Sequence, residues 1–173
     1  MILTKFYWCL LLGVFPFIGF AQKSDVAISF GALPDSLAKH PKPIIINVYT
    51  DWCTYCMMQE NGIKKSAELA ALLGKEMYYL RLNAENKETI FFNHEQYHFQ
   101  PNGPSTGVHE LALALGKGNK DIAYPMWFIL DEHYKLQYSF FGYLKPKDLK
   151  ALLLAYLKEK KTQSSDQVFE GIN

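Results

Sequence analysis

The sequence IIINVYTDWCTYCMMQE, residues Ile44–Glu60, decides the fold of this chain. It begins with an apolar, β-branched run after Pro43, which predicts a buried strand. The strand should stop at Thr50-Asp51, and the Trp-Cys-x-x-Cys segment that follows should open a helix. A buried strand that leads directly into a cysteine pair at the start of a helix predicts a redox site.

The two cysteines of this stretch, Cys53 and Cys56, can close a small disulfide ring. The N-terminus of a helix presents free backbone N–H groups and partial positive charge to the first sulfur. Because this field favours thiolate over thiol, we expect Cys53 to have a lowered pKa and to act as the nucleophile. Cys56, one turn deeper, is placed to attack a mixed disulfide formed at Cys53 and to release the partner. So small a ring removes little entropy from the unfolded chain, which makes a purely structural disulfide the weaker interpretation.

The chain resembles the thioredoxin-like family, in particular the exported thioredoxin-related proteins of bacteria and the C-terminal domain of the membrane thiol–disulfide interchange reductases. The resemblance covers residues 30–160 approximately. It rests on four motifs: Lys42-Pro43 before the first strand, Asp51–Cys56, Tyr124-Pro125 before a later strand, and Gly142 after the last strand. It implies an α/β thioredoxin fold, with a central mixed sheet flanked by helices, and thiol–disulfide exchange as the activity.

The resemblance also implies a substrate site at the X-Pro step. In thioredoxin folds the matching proline is cis and lies against the disulfide, and the backbone of the preceding residue pairs with an extended substrate segment. We therefore assign substrate binding to Tyr124 and Pro125. Trp52 and Tyr55 could form part of an apolar rim that receives substrate chains, although Trp52 could equally pack only against the helix start.

The first departure from the family pattern concerns proton transfer. Thioredoxins carry a buried acid in the first central strand, five residues before the motif tryptophan, whereas this chain has Asn47, whose amide cannot exchange a proton. Glu60 lies four residues beyond Cys56 and hence on the same helical face. The interchange-reductase domains have an acid at the matching position, so the resemblance implies Glu60 as a candidate catalytic proton acceptor. A solvated helix glutamate is the alternative, and Asp51 is a weaker candidate.

The second departure is Thr54-Tyr55 between the cysteines, where thioredoxin has Gly-Pro. This dipeptide helps to set the reduction potential, because it changes how well the first thiolate is stabilised. Tyrosine in its second place resembles some disulfide isomerases. Reduction, isomerisation and oxidation of substrates therefore all stay open.

The first 21 residues differ in composition from the rest of the chain. Lys5 is their only charge, and Gly19-Phe20-Ala21 supplies the small residues that a signal peptidase requires. This pattern predicts a signal peptide over residues 1–21, cut after Ala21, and hence an exported, periplasmic protein. The apolar run is shorter than the ~20 residues of a spanning helix, so no membrane insertion is expected after cleavage. Cys9 would leave with the signal, and disulfides persist outside the cytoplasm.

The rest of the chain predicts a thioredoxin-like domain over residues 22–161 and a flexible tail over residues 162–173. An apolar content of 49% and an aromatic content of 15% are typical of a globular chain rather than a disordered one. The formal net charge of +1 gives no indication of a nucleic-acid partner. We expect no metal and no cofactor beyond the redox-active disulfide. The expected partners are exported proteins with disulfides and a membrane thiol–disulfide reductase as electron donor.

Capping residues, prolines and apolar runs predict the remaining helices and strands. The helix that opens at the cysteine pair should end at the turn dipeptide Asn61-Gly62, and the next should run from its N-cap Ser66 to Gly74. Further helices are expected at about 32–40 and 147–160, and further strands at Met77–Leu82, Met126–Leu130 and Lys135–Phe141. The Met77–Leu82 strand should lie parallel to the first strand through the helical crossover.

Residues 83–124 form a longer segment than the one that thioredoxins have before the X-Pro strand. A β-hairpin is expected around Asn93-His94-Glu95, followed by a loop and by a helix from about Gly107 to Leu115 with Thr106 as its N-cap. This segment, residues 83–124, is therefore predicted to be a hairpin-plus-helix insertion. A metal cluster of its histidines, His94, His98 and His109, lacks the support of a cysteine or of a histidine pair at helical spacing.

The sequence therefore favours an exported thiol–disulfide oxidoreductase that reduces or isomerises disulfides of other exported proteins. Three alternatives stay open. A binding module that borrows the fold would have a cysteine pair that does not cycle. A folding or assembly partner would bind through the insertion, independently of the thiols. A copper(I)-handling protein would need the soft sulfur of Met57 or Met58, although methionines that pack a helix against a sheet are the favoured interpretation.

Overall fold

The computed structural model describes residues 26–117 and 123–170, and for residues 164–170 only the path of the helix. The predictions for the signal peptide and for Cys9 lie outside these residues. In the part of the chain that is described, no helix combines the length and the apolar character that crossing a bilayer requires.

Helices and strands follow one another as expected of an α/β protein. A 3-10 turn, Phe30–Ala32, precedes the helices α1 Leu33–Lys39, α2 Thr54–Lys65, α3 Ala67–Glu76, α4 Glu110–Leu115 and α5 Pro146–Glu170. The strands are β1 Ile44–Tyr49, β2 Tyr78–Asn83, β3 Ile90–Phe92, β4 Glu95–Tyr97, β5 Phe99–Pro101, β6 Gly107–His109, β7 Met126–Leu130 and β8 Leu136–Phe141. The short strands β3 to β6 all belong to the insertion.

The central sheet has the strand order β2-β1-β7-β8. Strand β1 pairs in parallel with β2 and antiparallel with β7, and β7 pairs antiparallel with β8. The domain thus combines a β-helix-β unit, from β1 through α2 and α3 to β2, with a β-β-helix unit of β7, β8 and α5. The two units meet where β1 pairs with β7. This mixed sheet flanked by helices is the thioredoxin fold, which confirms the predicted fold class.

Strand β1 separates two hydrophobic clusters, because alternate residues of a strand point to opposite faces of the sheet. Ile44, Ile46 and Val48 belong to the cluster that includes α1 and α4. Ile45 belongs to the cluster formed with α2, α3 and α5. Helices therefore cover both faces of the sheet, and the C-terminal end of β1 delivers the cysteine pair to the edge of this core.

The prediction that α2 breaks at Asn61-Gly62 is wrong, as is the prediction that Gly74 stops α3. Both helices continue past these residues. In α2 the packing overrides the local turn preference, because Ile63 is buried in the second cluster and Gly62 faces α5. A Cβ atom at Gly62 would lie 2.8 Å from Cγ of Pro146. The glycine thus serves a close approach between two helices and not a reversal of the chain.

The insertion contains the predicted hairpin. Strands β3 and β4 pair antiparallel around Asn93 and His94, whose φ angles of 50° and 64° are both positive. A tight two-residue hairpin turn requires a positive φ angle at both of its central residues, and asparagine adopts this conformation more readily than most residues. This part of the insertion is therefore specified locally.

The predicted helix start at Gly107 is wrong, because residues Gly107–His109 form β6 and pair antiparallel with β5. Thr106 does not cap the helix; its carbonyl instead accepts a hydrogen bond of 3.0 Å from the Asn102 N–H, within the β5–β6 ribbon. His109 is the N-cap, since its Nδ1 accepts the Leu111 N–H at 3.2 Å. The predicted N-cap, Thr106, thus lies three residues before the observed one.

The last helix begins at Pro146, as expected for a proline in a first helical turn. It extends to Glu170, so the segment expected as a tail from residue 162 is helical as far as that residue. Before this helix, Gly142 ends β8 with a φ angle of 109°, a conformation that favours glycine. Its N–H donates to the Pro125 carbonyl at 2.7 Å, which joins the end of β8 to the start of β7.

Candidate redox site

Cys53 and Cys56 form a disulfide at the first turn of α2, with their Cα atoms 5.2 Å apart. Cys53 is the N-cap residue, and its sulfur accepts the Cys56 N–H at 3.1 Å. Both cysteines are buried. The helix therefore directs one of its free N–H groups at the sulfur predicted to be the nucleophile, an arrangement that stabilises negative charge there.

Two aromatic pairs, each with one member next to a cysteine in the chain, form what is here called the aromatic rim. Trp52 and Tyr55 are 66% and 60% exposed, which separates them from side chains that only pack the helix start. The Trp52 ring meets the Tyr124 ring edge-on, with centroids 6.1 Å apart, and the Tyr55 ring lies 6.3 Å from that of Tyr143. The Tyr124-Pro125 peptide bond is cis, as the resemblance implied. The structure thus brings the four predicted substrate-binding residues to the rim.

Tyr143 is a rim residue that the sequence analysis did not single out. It directly follows Gly142, whose N–H donates to the Pro125 carbonyl, so the end of β8 and the cis proline are held together. The next residue is also fixed, because the Leu144 N–H donates to Oε1 of the buried Gln59 at 2.9 Å. An aromatic residue directly after the glycine that ends the last strand was the available signal.

The segment that leaves β2 fixes the other side of the rim. Nε1 of Trp52 donates to Oε1 of Glu85 at 3.0 Å, and Nδ2 of Asn83 donates to Oδ2 of Asp51 at 2.9 Å. Burial raises the pKa of Tyr124, and the negative charge of Glu85 raises it further. The start of the insertion therefore positions both the tryptophan and the acid that precede Cys53.

Asn47, which stands where the resemblance leads one to expect an acid, is buried within β1. Its Nδ2 donates to the Met126 carbonyl at 3.3 Å and so joins β1 to β7. The amide therefore acts as a structural donor here and supplies no proton acceptor.

Glu60 forms ion pairs with two cations and lies beside Cys56. Its Oε1 is 2.6 Å from Nζ of Lys64, and its Oε2 contacts Nη2 of Arg81. A cavity of about 410 Å³ is lined by both Glu60 and Cys56. Glu60 is thus not the solvated helix glutamate of the alternative interpretation, because its side chain is only 18% exposed. The sequence analysis missed Arg81, which lies on β2 and pairs in register with Asn47.

The other candidate ligand residues are dispersed. His109 is buried and caps α4, whereas Nδ1 of His98 contacts Oγ1 of Thr89 at 3.1 Å. Among residues 26–117 and 123–170, no three histidine, cysteine or acidic side chains come close enough to hold a metal ion. Met57 and Met58 are about half exposed, so the expectation that they pack against the sheet does not describe them.

This arrangement is suited to thiol–disulfide exchange. The Cys53 sulfur accepts a hydrogen bond from a helix N–H, and the Cys56 sulfur is bonded to it. The Glu60 carboxylate lines the same cavity as Cys56. The aromatic rim offers apolar area for a protein substrate.

No protein-family model and no curated protein matches the chain. Among solved structures it is similar to a disulphide isomerase from Xylella fastidiosa, with 19% identity, 63% of this chain and 67% of that chain covered, and a TM-score of 0.42. A thioredoxin-fold protein from Helicobacter pylori is 15% identical, with 82% and 92% covered and a TM-score of 0.46. The C-terminal domain of DsbD from Neisseria meningitidis is 16% identical, with 72% and 90% covered and a TM-score of 0.46. The fold and the chemistry of the site therefore rest on the strand order and contacts described above.

Proposed function

We propose that the protein is an exported thiol–disulfide oxidoreductase that reduces or isomerises the disulfides of other exported proteins. The observation that carries this proposal is the Cys53–Cys56 disulfide at the first turn of α2, with the Cys56 N–H directed at the Cys53 sulfur. The composition of residues 1–21 supports export.

The first step is attack by the Cys53 thiolate on a substrate disulfide. A bond forms between Cys53 Sγ and one substrate sulfur, and the other substrate sulfur leaves as a thiolate. The Cys56 N–H that holds the Cys53 sulfur stabilises the attacking thiolate. The product of this step is a mixed disulfide between Cys53 and the substrate.

The second step is resolution by Cys56. Its sulfur attacks Cys53 Sγ, the mixed disulfide breaks, and the second substrate sulfur leaves with the electron pair. The Cys56 thiol gives up its proton in this step, and Glu60 is the proposed acceptor. The chain ends as the Cys53–Cys56 disulfide, and the substrate has gained two electrons and two protons. A membrane thiol–disulfide reductase is the proposed donor that returns the pair to the dithiol form.

The aromatic rim is the proposed binding site for the substrate. An extended segment would pair with the backbone of Tyr124, and its side chains would pack between the Trp52–Tyr124 pair and the Tyr55–Tyr143 pair. Tyrosine and tryptophan suit this task because they offer large contact areas with few rotatable bonds.

Trapping of mixed disulfides tests the assigned roles. Cys56→Ala should accumulate covalent complexes with disulfide-bearing proteins, because the first step proceeds and the second cannot. Cys53→Ala should accumulate none. Equal trapping by the two variants would refute the roles, and trapping by neither would favour a binding module whose cysteines do not cycle.

A redox titration of the mature protein against glutathione would then give the direction of the reaction. A reductase is expected to have a potential near that of thioredoxin, about −270 mV, and an isomerase one nearer −180 mV. A potential as high as about −120 mV would instead indicate an oxidant.

A further inference from the structure

The cavity beside Cys56 contains polar groups that the proposed mechanism uses only in part. Its walls include Cys56 and Glu60 from α2, Arg81 from β2, and the residues Tyr49, Thr50 and Asp51 that end β1 and lead to the disulfide. Cys56 itself is only 5% exposed. A proton that leaves its thiol therefore has this open cavity, of about 410 Å³, as a route to solvent.

Arg81 is held in this cavity by contacts on two sides. Its guanidinium lies over the ring of Tyr49, 4.4 Å from the centroid, and its Nη2 contacts Oε2 of Glu60. Stacking on an aromatic face and pairing with a carboxylate are both suited to a planar guanidinium. With exposed side-chain fractions of 25% and 18%, Arg81 and Glu60 are largely shielded from water, so their interaction is weakened less by solvent than a surface pair.

Two buried polar atoms of the same cavity lack protein partners. Oγ1 of Thr50 and Nε of Arg81 make no hydrogen bond to the part of the chain that is described. Buried hydroxyl and guanidinium groups are normally satisfied by protein or by water. Both residues line the cavity, so their free hydrogen-bonding capacity is available to water molecules between Cys56 and the carboxylate.

The charged groups around Glu60 differ in how firmly they can hold it. Lys64 lies one turn further along α2 and is 57% exposed, and an exposed pair of this type contributes little. Asp51, the other acid of the cavity, is engaged by the Asn83 amide. Arg81 is therefore the cation that fixes Glu60, since it projects from the sheet and is itself fixed by Tyr49.

We propose that Arg81 is a positioning residue that holds the Glu60 carboxylate in this cavity, where the carboxylate accepts the Cys56 proton during resolution. This inference rests on the proposed function and assigns one residue of its second step. The S–H bond of Cys56 breaks as its sulfur bonds to Cys53, and the proton passes through the cavity to Glu60. Arg81 touches neither sulfur and exchanges no proton.

The test separates the two steps of the reaction in a stopped-flow experiment with a disulfide peptide. Glu60→Gln and Arg81→Gln should each slow resolution roughly tenfold and leave the first attack unchanged, since a general acid or base contributes at least this much. The double variant should be no slower than Glu60→Gln alone, because both substitutions remove the same function. Lys64→Gln is the matched control and should resolve at the rate of the unmodified protein.

Rescue by a conservative variant distinguishes positioning from a general structural effect. A general loss of structure would slow the first attack as well as resolution. Arg81→Lys keeps the positive charge and should regain most of the rate; it also serves as the test variant if Arg81→Gln does not fold.

The inference is overturned if Arg81→Gln resolves at the normal rate, or if the Arg81 and Glu60 effects multiply in the double variant. These outcomes differ from a failure of the proposed function, in which the first attack is already absent. Normal attack and resolution in all variants would leave the oxidoreductase assignment in place and remove Arg81 from it.

Discussion

Nε1 of Trp52 donates a hydrogen bond of 3.0 Å to Oε1 of Glu85, which joins the residue before Cys53 to the first residues of the insertion. The bond is part of a larger connection. The Ala84 N–H donates to the Tyr49 carbonyl, and the His109 N–H donates to the Ala84 carbonyl, both at 2.7 Å. Backbone hydrogen bonds therefore connect the insertion to the end of β1, which leads directly to the disulfide.

Removing the Glu85 carboxylate should impair reaction with protein substrates. Without this acceptor the exposed Trp52 ring can change its orientation, so the rim no longer offers the substrate a fixed surface at this position. We expect Glu85→Ala to lower kcat/KM for a disulfide-bearing protein by roughly three- to tenfold, since misplaced binding groups can cost considerably more. Reaction with glutathione disulfide, which is too small to use the rim, should change little.

The matched variant Glu85→Gln separates the hydrogen bond from the charge. Its amide oxygen can still accept the indole N–H. A kcat/KM for the protein substrate close to that of the unmodified chain would identify the hydrogen bond as the cause. A loss as large as that in Glu85→Ala would contradict this explanation and point to the negative charge instead.

Gly62→Ala should destabilise the protein, although alanine favours helices more than glycine does. The new Cβ atom would lie 2.8 Å from Cγ of Pro146, so α2 and α5 must separate. We expect the free energy of unfolding to fall by about 1 to 2 kcal/mol, the usual cost of overpacking. Denaturant unfolding measures this free energy.

Pro146→Ala in the same chain should recover most of the loss, and Gly31→Ala, where no atom lies within 4 Å of the new Cβ, should have no comparable effect. A stabilised Gly62→Ala would show that the helix contact is not tight.

Acidification should destabilise the protein through His109. Burial lowers the pKa of His109 from its usual 6.5, only partly opposed by its hydrogen bond to the Glu88 carbonyl and by the charge of Glu110. The folded chain therefore keeps this histidine neutral at a pH where the unfolded chain binds a proton. The contribution is fully present above about pH 6.5 and is lost as the pH falls toward the lower, folded-state pKa.

Unfolding curves at several pH values measure this effect. His109→Gln should be less stable at neutral pH, because the N-cap acceptor is altered, but its stability should decline less between about pH 7 and pH 5. The exposed His133 provides the control, and His133→Gln should keep the full decline. Identical acid slopes for His109→Gln and the unmodified chain would exclude His109 as the cause.

The reduced protein should react with iodoacetamide first at Cys53. The Cys56 N–H directed at this sulfur favours the thiolate, which is the form that alkylates. We expect substantial modification of Cys53 at neutral pH, identified by mass spectrometry, while Cys56 stays largely unmodified. Preferential alkylation of Cys56 would reverse the assigned order of attack.

Local patterns predicted the parts of the fold that local forces decide. The apolar run of β1, the helix start at the cysteines and the turn at Asn93 and His94 each follow from neighbouring residues. The cis bond at Tyr124-Pro125 came from the family resemblance, because an X-Pro sequence alone favours trans. The parallel pairing of β1 with β2 was predicted from the helical crossover between them.

The errors arose where distant residues decide the outcome. Asn61-Gly62 is a turn signal in isolation, but α2 continues through it, and Gly62 lies close to Pro146 of the distant helix α5. Gly107–His109 becomes a strand because β5 is available to pair with it. In the site, Glu60 was named from the family resemblance and from its helical spacing to Cys56. Arg81 and Glu85 could not be assigned from the sequence, because each contacts a residue of a separate element.

Asn47 binds the carbonyl of the residue that follows the cis proline, and it does so with a group that is uncharged at every accessible pH. Each catalytic cycle changes the proton count of the sulfurs, but it cannot change the charge of this amide. The hydrogen bond that anchors β7 directly after the proline therefore does not depend on a group that titrates.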